Sequence, residues 1–142
     1  MSPVNGSRLK DRIVLALMLI ALSTAPVAAH DLRAGELHIG HAWAPPSADM
    51  AAGTQVYFAL VNRARAPERL IAGWSTVAAR IEIPALELAP GRPRALRPGG
   101  DAIRLMDLAR PLVAGETFVL TLVFERTGTL DLTVIVEDAS GH

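Results

Sequence analysis

Two neighbouring runs decide the fold class of this chain: Thr117-Phe118-Val119-Leu120-Thr121-Leu122-Val123-Phe124, and then Leu130-Asp131-Leu132-Thr133-Val134-Ile135-Val136. In both runs every second residue has a large apolar side chain, which is the period of a β-strand with one buried face. Thr127-Gly128 lies between the runs and is typical of a tight connection. The two runs therefore predict an antiparallel hairpin.

Shorter runs of the same kind occur upstream. Residues 56–61 are apolar at both alternating sets of positions, which is typical of a strand covered on both sides. Further strands are predicted, with turn residues between them, at 36–39, 69–74, 79–83, 86–88 and 103–106. The helical candidates are single turns near 49–53 or 75–79. Many short strands without a helical period predict an all-β sandwich in one domain.

The N-terminal segment has the pattern of a secretory signal. Three basic residues precede an apolar run over residues 13–22, and small residues lead to Ala29. The run is about half of the roughly 20 residues that a membrane-spanning helix needs, so an uncleaved anchor is the weaker alternative. We expect a cleaved signal over 1–29 and an exported, periplasmic domain over 30–142, with no membrane insertion after cleavage.

Charge and composition exclude several classes of function. The 142 residues carry 14 Lys and Arg against 14 Asp and Glu, and loss of the signal leaves a formal charge of about −2. Such a surface gives no reason to expect nucleic acid as a partner. Cysteine is absent, which excludes disulfides and thiolate chemistry. The sequence has neither a nucleophile elbow nor a glycine-rich phosphate loop, so we expect a protein that is not an enzyme.

Three histidines cluster at the predicted mature N-terminus. His30, His38 and His41 fall within twelve residues. Cleavage after Ala29 gives His30 a free α-amino group beside its imidazole, and Cu(II) prefers such nitrogen donors in a tetragonal arrangement. Residues three apart on a strand point to opposite faces, so only one of the other two histidines is expected to join His30. The alternative is that all three are ordinary histidines on strands or at a frayed terminus.

Methionine sulfur is a second possible type of copper donor. The predicted mature domain contains only Met50 and Met106. A thioether is a soft ligand suited to Cu(I), but methionine is also a common filler of apolar cores. The leucines on either side of Met106 favour core packing, and a role as a copper ligand is the weaker interpretation. Met50 follows no pattern that assigns it a role.

An ordered series of segments carries a family resemblance: His30-Asp31-Leu32-Arg33-Ala34-Gly35, Ile39-Gly40-His41-Ala42-Trp43, Val56-Tyr57-Phe58-Ala59-Leu60-Val61-Asn62, Pro98-Gly99-Gly100, Leu105-Met106, Arg110-Pro111-Leu112 and Ala114-Gly115-Glu116-Thr117. The series resembles the PCu(A)C-type periplasmic copper chaperones. The resemblance implies a secreted, cupredoxin-like or immunoglobulin-like β-sandwich that binds Cu(I) and takes part in cytochrome oxidase assembly. It also implies copper as cofactor and a copper-accepting periplasmic or membrane protein as partner.

The copper ligands of that family do not carry over. The family pattern has a first histidine with a methionine, and then a histidine-x-methionine pair just after the Pro-Gly-Gly turn. Ile83 stands at the first histidine, and Ala102 and Arg104 stand at the second pair. Alanine has no donor atom, and the permanent positive charge of arginine repels a metal cation. Only Met106 remains nearby, so the resemblance implies the fold and the export route without the usual site.

Two hypotheses of function follow. The first is a non-enzymatic, copper-chaperone-like protein that binds copper through His30 with His38 or His41. The alternative is a metal-free binding or structural domain that recognises a protein or a small ligand. Candidate contacts for the alternative are Trp43, Tyr57, Trp74 and Arg104, although large aromatic side chains more often pack in a core.

Overall fold

The computed structural model describes residues 31–139, so the predicted signal segment, His30 and His142 lie outside the described residues. The described part contains twelve strands: β1 (Leu32–Ala34), β2 (Leu37–Ile39), β3 (Trp43–Ala44), β4 (Thr54–Val56), β5 (Ala59–Asn62), β6 (Glu68–Trp74), β7 (Ala78–Glu82), β8 (Glu87–Leu88), β9 (Arg94–Ala95), β10 (Ile103–Leu108), β11 (Thr117–Phe124) and β12 (Gly128–Val136). Within residues 31–139, no helix has the length and apolarity that crossing a membrane requires.

The predicted hairpin is confirmed as the pair β11 and β12. The two strands are antiparallel and in register from Thr117 opposite Ile135 to Phe124 opposite Gly128. Gly128 has a φ of 85°, a left-handed conformation that suits glycine at the end of a three-residue hairpin loop. The alternate apolar residues of both strands are buried, and each fully buried leucine or valine contributes roughly 1.5–3 kcal/mol.

In the described part of the chain, three sheets enclose a single core, which confirms the predicted β-sandwich. Their strand orders are β1-β2-β5-β9, β4-β10-β7 and β3-β12-β11-β6-β8. Each sheet contributes fully buried side chains to one apolar cluster, among them Leu37, Ile39, Val56, Ile103, Leu105, Leu120, Leu122 and Val134. The strands predicted outside residues 56–61 lie within two residues of β2, β6, β7, β8, β10, β11 and β12.

The prediction of one continuous strand over residues 56–61 is wrong. β4 ends at Val56 and β5 begins at Ala59, and the two strands belong to different sheets. Tyr57 pairs instead with Trp43, through N···O distances of 3.0 and 2.9 Å. Val56, Tyr57 and Phe58 are buried in succession because the chain crosses from one sheet to the next there. The crossing therefore explains why residues 56–61 are apolar at both alternating sets of positions.

A helical turn confirms the expectation for residues 49–53. The Gly53 N–H donates to the Asp49 carbonyl at 2.9 Å, and the Ala52 N–H donates to the Asp49 side chain at 3.0 Å. Gly53 has a φ of +73°, and a Cβ there would lie 1.7 Å from the Leu105 carbonyl oxygen. The turn thus packs directly on β10. The segment 75–79, the other candidate, forms the tight turn between β6 and β7.

Glu68 is a buried carboxylate that connects β6 to the β11–β12 loop. Its side chain is 4% exposed and accepts hydrogen bonds from the N–H groups of Arg69, Arg126 and Thr127 and from the Thr127 hydroxyl, at 2.8–2.9 Å. Burial raises the pKa of Glu68, but the hydrogen bonds together outweigh it and lower the pKa below 4.5. The charge is therefore fully satisfied inside the fold.

Candidate functional site

The positions where the resemblance expects copper donors lie around β10. Ile103 and Leu105 are fully buried, and Arg104 between them points outward. In register, Arg104 lies opposite Gln55 on β4 and opposite Glu82 on β7. We call the outward side of β10 and its two neighbouring strands the β10 face.

Charged side chains on the β10 face pair with one another. Arg104 Nη1 is 3.9 Å from Glu82 Oε2, and Arg80 Nε is 2.6 Å from Asp107 Oδ2. Asp107 has a φ of 52°, a left-handed conformation that aspartate tolerates better than most residues. Guanidinium groups in ion pairs offer no lone pair to a metal ion. This face therefore has ion pairs where the family pattern has imidazole and thioether donors.

Ile83, which spacing aligned with the first histidine, faces away from Arg104. Ile81 lies opposite the buried Leu105, and both Ile81 and Ile83 are partly buried against the core. Ile83 Cγ2 is 3.6 Å from the position that a Cβ on Gly73 would occupy. The residue that shares a row with Arg104 is Glu82. A donor at position 83 would thus point into the core.

Met106 lies outside the fully buried core. It is half-buried and lies opposite Arg80, two residues beyond Arg104 along β10. Core packing therefore describes Met106 only in part, and its role as a copper ligand stays a prediction. Met50 is exposed, and its carbonyl accepts a hydrogen bond from the Leu108 N–H at 2.8 Å.

His38 lines an open cleft on the outer side of the sheet that contains β1, β2, β5 and β9. The cleft has a volume of about 440 Å³, and its lining includes Asp31, Arg33, His38, Gly40, Ala59 and Arg63. Arg33, His38 and Val61 lie in one row across three strands. Asp31 Oδ1 is 3.9 Å from where a Cβ on Gly40 would lie. Sequence reasoning missed Asp31, Arg33 and Arg63, because only the strand register brings them to His38.

His41 has a different environment. It follows β2 in the connection to β3, and its Nε2 is 3.1 Å from Glu137 Oε1, just after β12. His38 and His41 thus have different neighbours, and His41 lies beyond the end of β2. Residues 31–139 contain no group of three or more histidines, aspartates or glutamates that could hold a metal ion. Because His30 lies outside this range, the predicted site at His30, His38 and His41 stays a prediction.

The aromatic candidates divide into buried and exposed residues. Trp43 and Tyr57 are buried with ring centroids 4.9 Å apart, and the Tyr57 hydroxyl donates to Gln55 Oε1 at 2.7 Å. Burial raises the pKa of Tyr57. Trp74 is 52% exposed, so core packing does not describe it. Of the candidate contacts for a metal-free function, only Trp74 and Arg104 face solvent.

Comparison with solved structures gives the same fold. The copper-bound PCuAC domain from PmoF2 is 29% identical with a TM-score of 0.70, covering 77% of this chain and 98% of that one. The apo PCuAC domain from PmoF1 is 24% identical with a TM-score of 0.71, covering 77% and 99%. Cu(I)-bound DR1885 from Deinococcus radiodurans is 24% identical with a TM-score of 0.61, covering 78% and 83%. The last two likenesses show the fold alone.

The family comparison covers most of the chain. Among curated proteins, none matches this sequence. The profile of the LpqE-like lipoproteins matches residues 37–136, which includes every strand from β2 to β12. The expected PCu(A)C resemblance is confirmed by this match together with the solved PCuAC domains. The chain belongs to the LpqE-like family and has the β-sandwich fold of PCuAC domains.

Proposed function

We propose that this protein is an exported, non-enzymatic copper-handling domain that binds copper at its mature N-terminus rather than on the β10 face. The similarity to the copper-bound PCuAC domain from PmoF2 supports the general role. The ion pairs of Arg104 and Arg80 argue against the β10 face as the place of binding. One observation carries the proposal: Asp31 and His38 line the same cleft.

We propose that His30 acts together with His38, because His30 precedes Asp31 in the sequence and Asp31 lines the same cleft as His38. The α-amino group and imidazole of His30 supply two nitrogen donors, His38 supplies a third, and Asp31 supplies an oxygen. This set suits Cu(II). His41 contacts Glu137, which leaves His38 as the favoured third nitrogen.

The local charge makes the terminal amine essential to this site. Arg33 lies opposite His38, and Arg63 lines the same cleft. Both guanidinium groups repel a bare cation, and the Asp31 carboxylate offsets only part of that repulsion. We therefore expect His38 alone to bind copper poorly, and we expect the amine and imidazole of His30 to provide most of the affinity as a chelate.

Isothermal titration tests this function. The protein that begins at His30, verified by mass spectrometry, is titrated with Cu(II) and with Cu(I). We expect a Kd for Cu(II) tighter than about 10 μM at neutral pH. His38→Ala weakens it at least about tenfold, whereas the matched His41→Ala changes it less than about twofold. Weaker binding of both ions by the wild type, or equal effects of the two substitutions, contradicts the proposal.

The same proposal includes export of the protein and delivery of copper to a partner. Residues 1–29 act as a cleaved signal, residues 30–142 form the periplasmic domain, and copper passes to a copper-accepting periplasmic or membrane protein, such as one in cytochrome oxidase assembly. The lipoprotein family supports export, although this sequence has no cysteine that could carry a lipid. Mass spectrometry of the exported protein tests the route, since a mature chain that begins elsewhere removes the amine of His30.

A metal-free binding domain is the second candidate, and the exposure of Trp74 and Arg104 favours it. Both side chains lie on strand faces that are open to solvent and available to a partner. A pull-down with the mature domain and its Arg104→Met variant, with and without copper, separates the candidates. A partner retained without copper and lost with Arg104→Met supports this reading, and a partner that requires copper supports the first.

A further inference from the structure

Two arginine side chains and one histidine side chain line the cleft beside β2. Arg33 lies opposite His38 on β1, and Arg63 follows β5 two residues after Val61, which lies opposite His38 on the other side. Positions two apart on a strand share a face, so Arg63 belongs to the same outward side as Val61. All three residues line the cleft. Two guanidinium groups thus flank one imidazole from opposite sides.

The cleft arginines differ from those of the β10 face. Arg80 and Arg104 pair with Asp107 and Glu82, whereas Arg33 and Arg63 form no ion pair among residues 31–139. Arg126 in the β11–β12 loop also forms no ion pair among residues 31–139, but it does not line this cleft. The distinguishing feature of Arg33 and Arg63 is therefore that they meet at a cavity with their hydrogen-bond donors available.

The floor of the cleft leaves room for a ligand. Gly40 and Ala59 are the small residues of the next row, joined by the Gly40 N–H to Ala59 carbonyl bond of 2.8 Å. Around a Cβ placed on Gly40, the nearest atoms are Ala59 O at 3.7 Å and Asp31 Oδ1 at 3.9 Å. The volume of about 440 Å³ lies in the range of small-molecule sites.

We propose that this cleft binds a small oxyanion, a carboxylate or a phosphate, between Arg33 and Arg63. Arginine presents a planar set of donors that matches the oxygens of either group and bonds them in pairs. His38 supplies a further donor between the arginines. Asp31, at the Gly40 end, repels a second negative charge, so the ligand carries its charge at one end. This inference goes beyond copper handling and holds for the metal-free protein.

NMR titration of the ¹⁵N-labelled protein tests the proposal. The protein is freed of metal and then of chelator, because chelators are themselves carboxylates. Inorganic phosphate and butyrate serve as the two probes. Gly91 and Pro93 also line the cleft. We expect saturable shifts confined to the backbone N–H groups of residues 31–40, 59–63 and 91–92, with a Kd near or below about 10 mM. Phosphate alone, butyrate alone or both identify which oxyanion the cleft accepts.

Matched variants locate the binding. Arg33→Ala and Arg63→Ala each weaken binding at least about tenfold, because each removes a charge-assisted pair of hydrogen bonds. Arg126→Ala removes the same charge elsewhere and changes the Kd less than about twofold. Both cleft arginines are exposed, so the dispersed spectrum of a folded protein is retained in each variant. Absence of saturation with both probes, or an equal loss with Arg126→Ala, overturns the proposal.

Discussion

The β10 face and the cleft beside β2 use charge in opposite ways. On the β10 face, Arg104 and Arg80 pair with carboxylates of neighbouring strands or of β10 itself. In the cleft, Arg33 and Arg63 have no such partner among the described residues, and they surround a cavity with His38. Both regions lie on outward faces of the sandwich, and the same buried core supports both.

The difference indicates where a ligand can bind. Charges that satisfy each other have little to gain from a ligand, whereas unpaired donors around a cavity regain on binding the hydrogen bonds they otherwise make to water. The chain has the fold of PCuAC domains, but Ala102 and Arg104, where the resemblance implies copper donors, supply none. We therefore propose the cleft as the place of ligand binding and interpret the β10 face as a paired surface.

The largest expected effect on stability comes from disrupting the packing of the 49–53 turn on β10. Gly53→Ala places a Cβ 1.7 Å from the Leu105 carbonyl oxygen at a φ of +73°. We expect a loss on the order of 3 kcal/mol in the free energy of unfolding, measured by urea denaturation. Gly99→Ala is the control: its φ is +81° but its Cβ has open space, and we expect about 1 kcal/mol. Equal losses contradict the close packing of the turn on β10.

The second largest effect is expected at the buried carboxylate of Glu68, which accepts more hydrogen bonds than any charged group on the β10 face. Glu68→Gln removes acceptor capacity and leaves buried N–H groups without partners, which costs about 2 kcal/mol at neutral pH. The pKa of Glu68 is lowered by folding, so its contribution is complete above the unfolded value and is lost as pH falls through the folded one. Urea denaturation at a series of pH values measures both effects.

The pH series has a defined outcome. Below 4.5, the wild type is expected to lose stability more steeply than Glu68→Gln, and the gap between the two proteins narrows. A gap that stays constant from neutral pH to the acid limit of folding contradicts the lowered pKa.

Restoring donors on the β10 face tests whether the lack of donor atoms is what prevents copper binding there. Arg104 and Met106 are two residues apart on β10, and Ala102 directly precedes the strand, two residues before Arg104. The double substitution Ala102→His and Arg104→Met adds an imidazole and a thioether beside the Met106 sulfur, and we expect Cu(I) affinity to rise about tenfold or more. The control is Ala102→Gln with Arg104→Leu. Equal Cu(I) affinity in both double variants contradicts the expectation that the lack of donors prevents copper binding on the β10 face.

The smallest effect is expected for a single ion pair. Arg104 and Glu82 are both more than half exposed, with their charged atoms 3.9 Å apart. Arg104→Ala is therefore expected to change the free energy of unfolding by less than about 0.5 kcal/mol. A loss above about 1 kcal/mol, measured by thermal or urea unfolding, assigns this face a structural role beyond surface pairing.

The sequence predicted those features of the fold that depend on the local alternation of apolar and polar residues. The alternation in Thr117–Phe124 and the glycine at 128 predicted the central hairpin, because strand period and turn chemistry are local properties. The crossing at Tyr57 and Phe58 was missed, since two strands in different sheets read as one apolar run when burial is continuous. Spacing located Ile83 along the chain but not its direction, which the register with β10 fixes.

The candidate site was predictable only in part. The histidine cluster was visible in the sequence, but the different neighbours of His38, on β2, and of His41, after β2, were not. The meeting of Arg33 and Arg63 with His38 depends on the pairing of β1, β2 and β5, in which Arg33 is five residues and Val61 is 23 residues from His38. No local pattern marks such a contact.

The position of the terminal amine provides the most direct test of the copper proposal. Two proteins are titrated with Cu(II) and measured by EPR: one begins at His30, and the other carries one additional alanine in front of it. The first is expected to bind with a Kd tighter than about 10 μM and to show three nitrogen ligands, and the added residue to weaken binding at least about tenfold. Equal affinity and the same nitrogen count in both proteins would contradict a copper site built on His30.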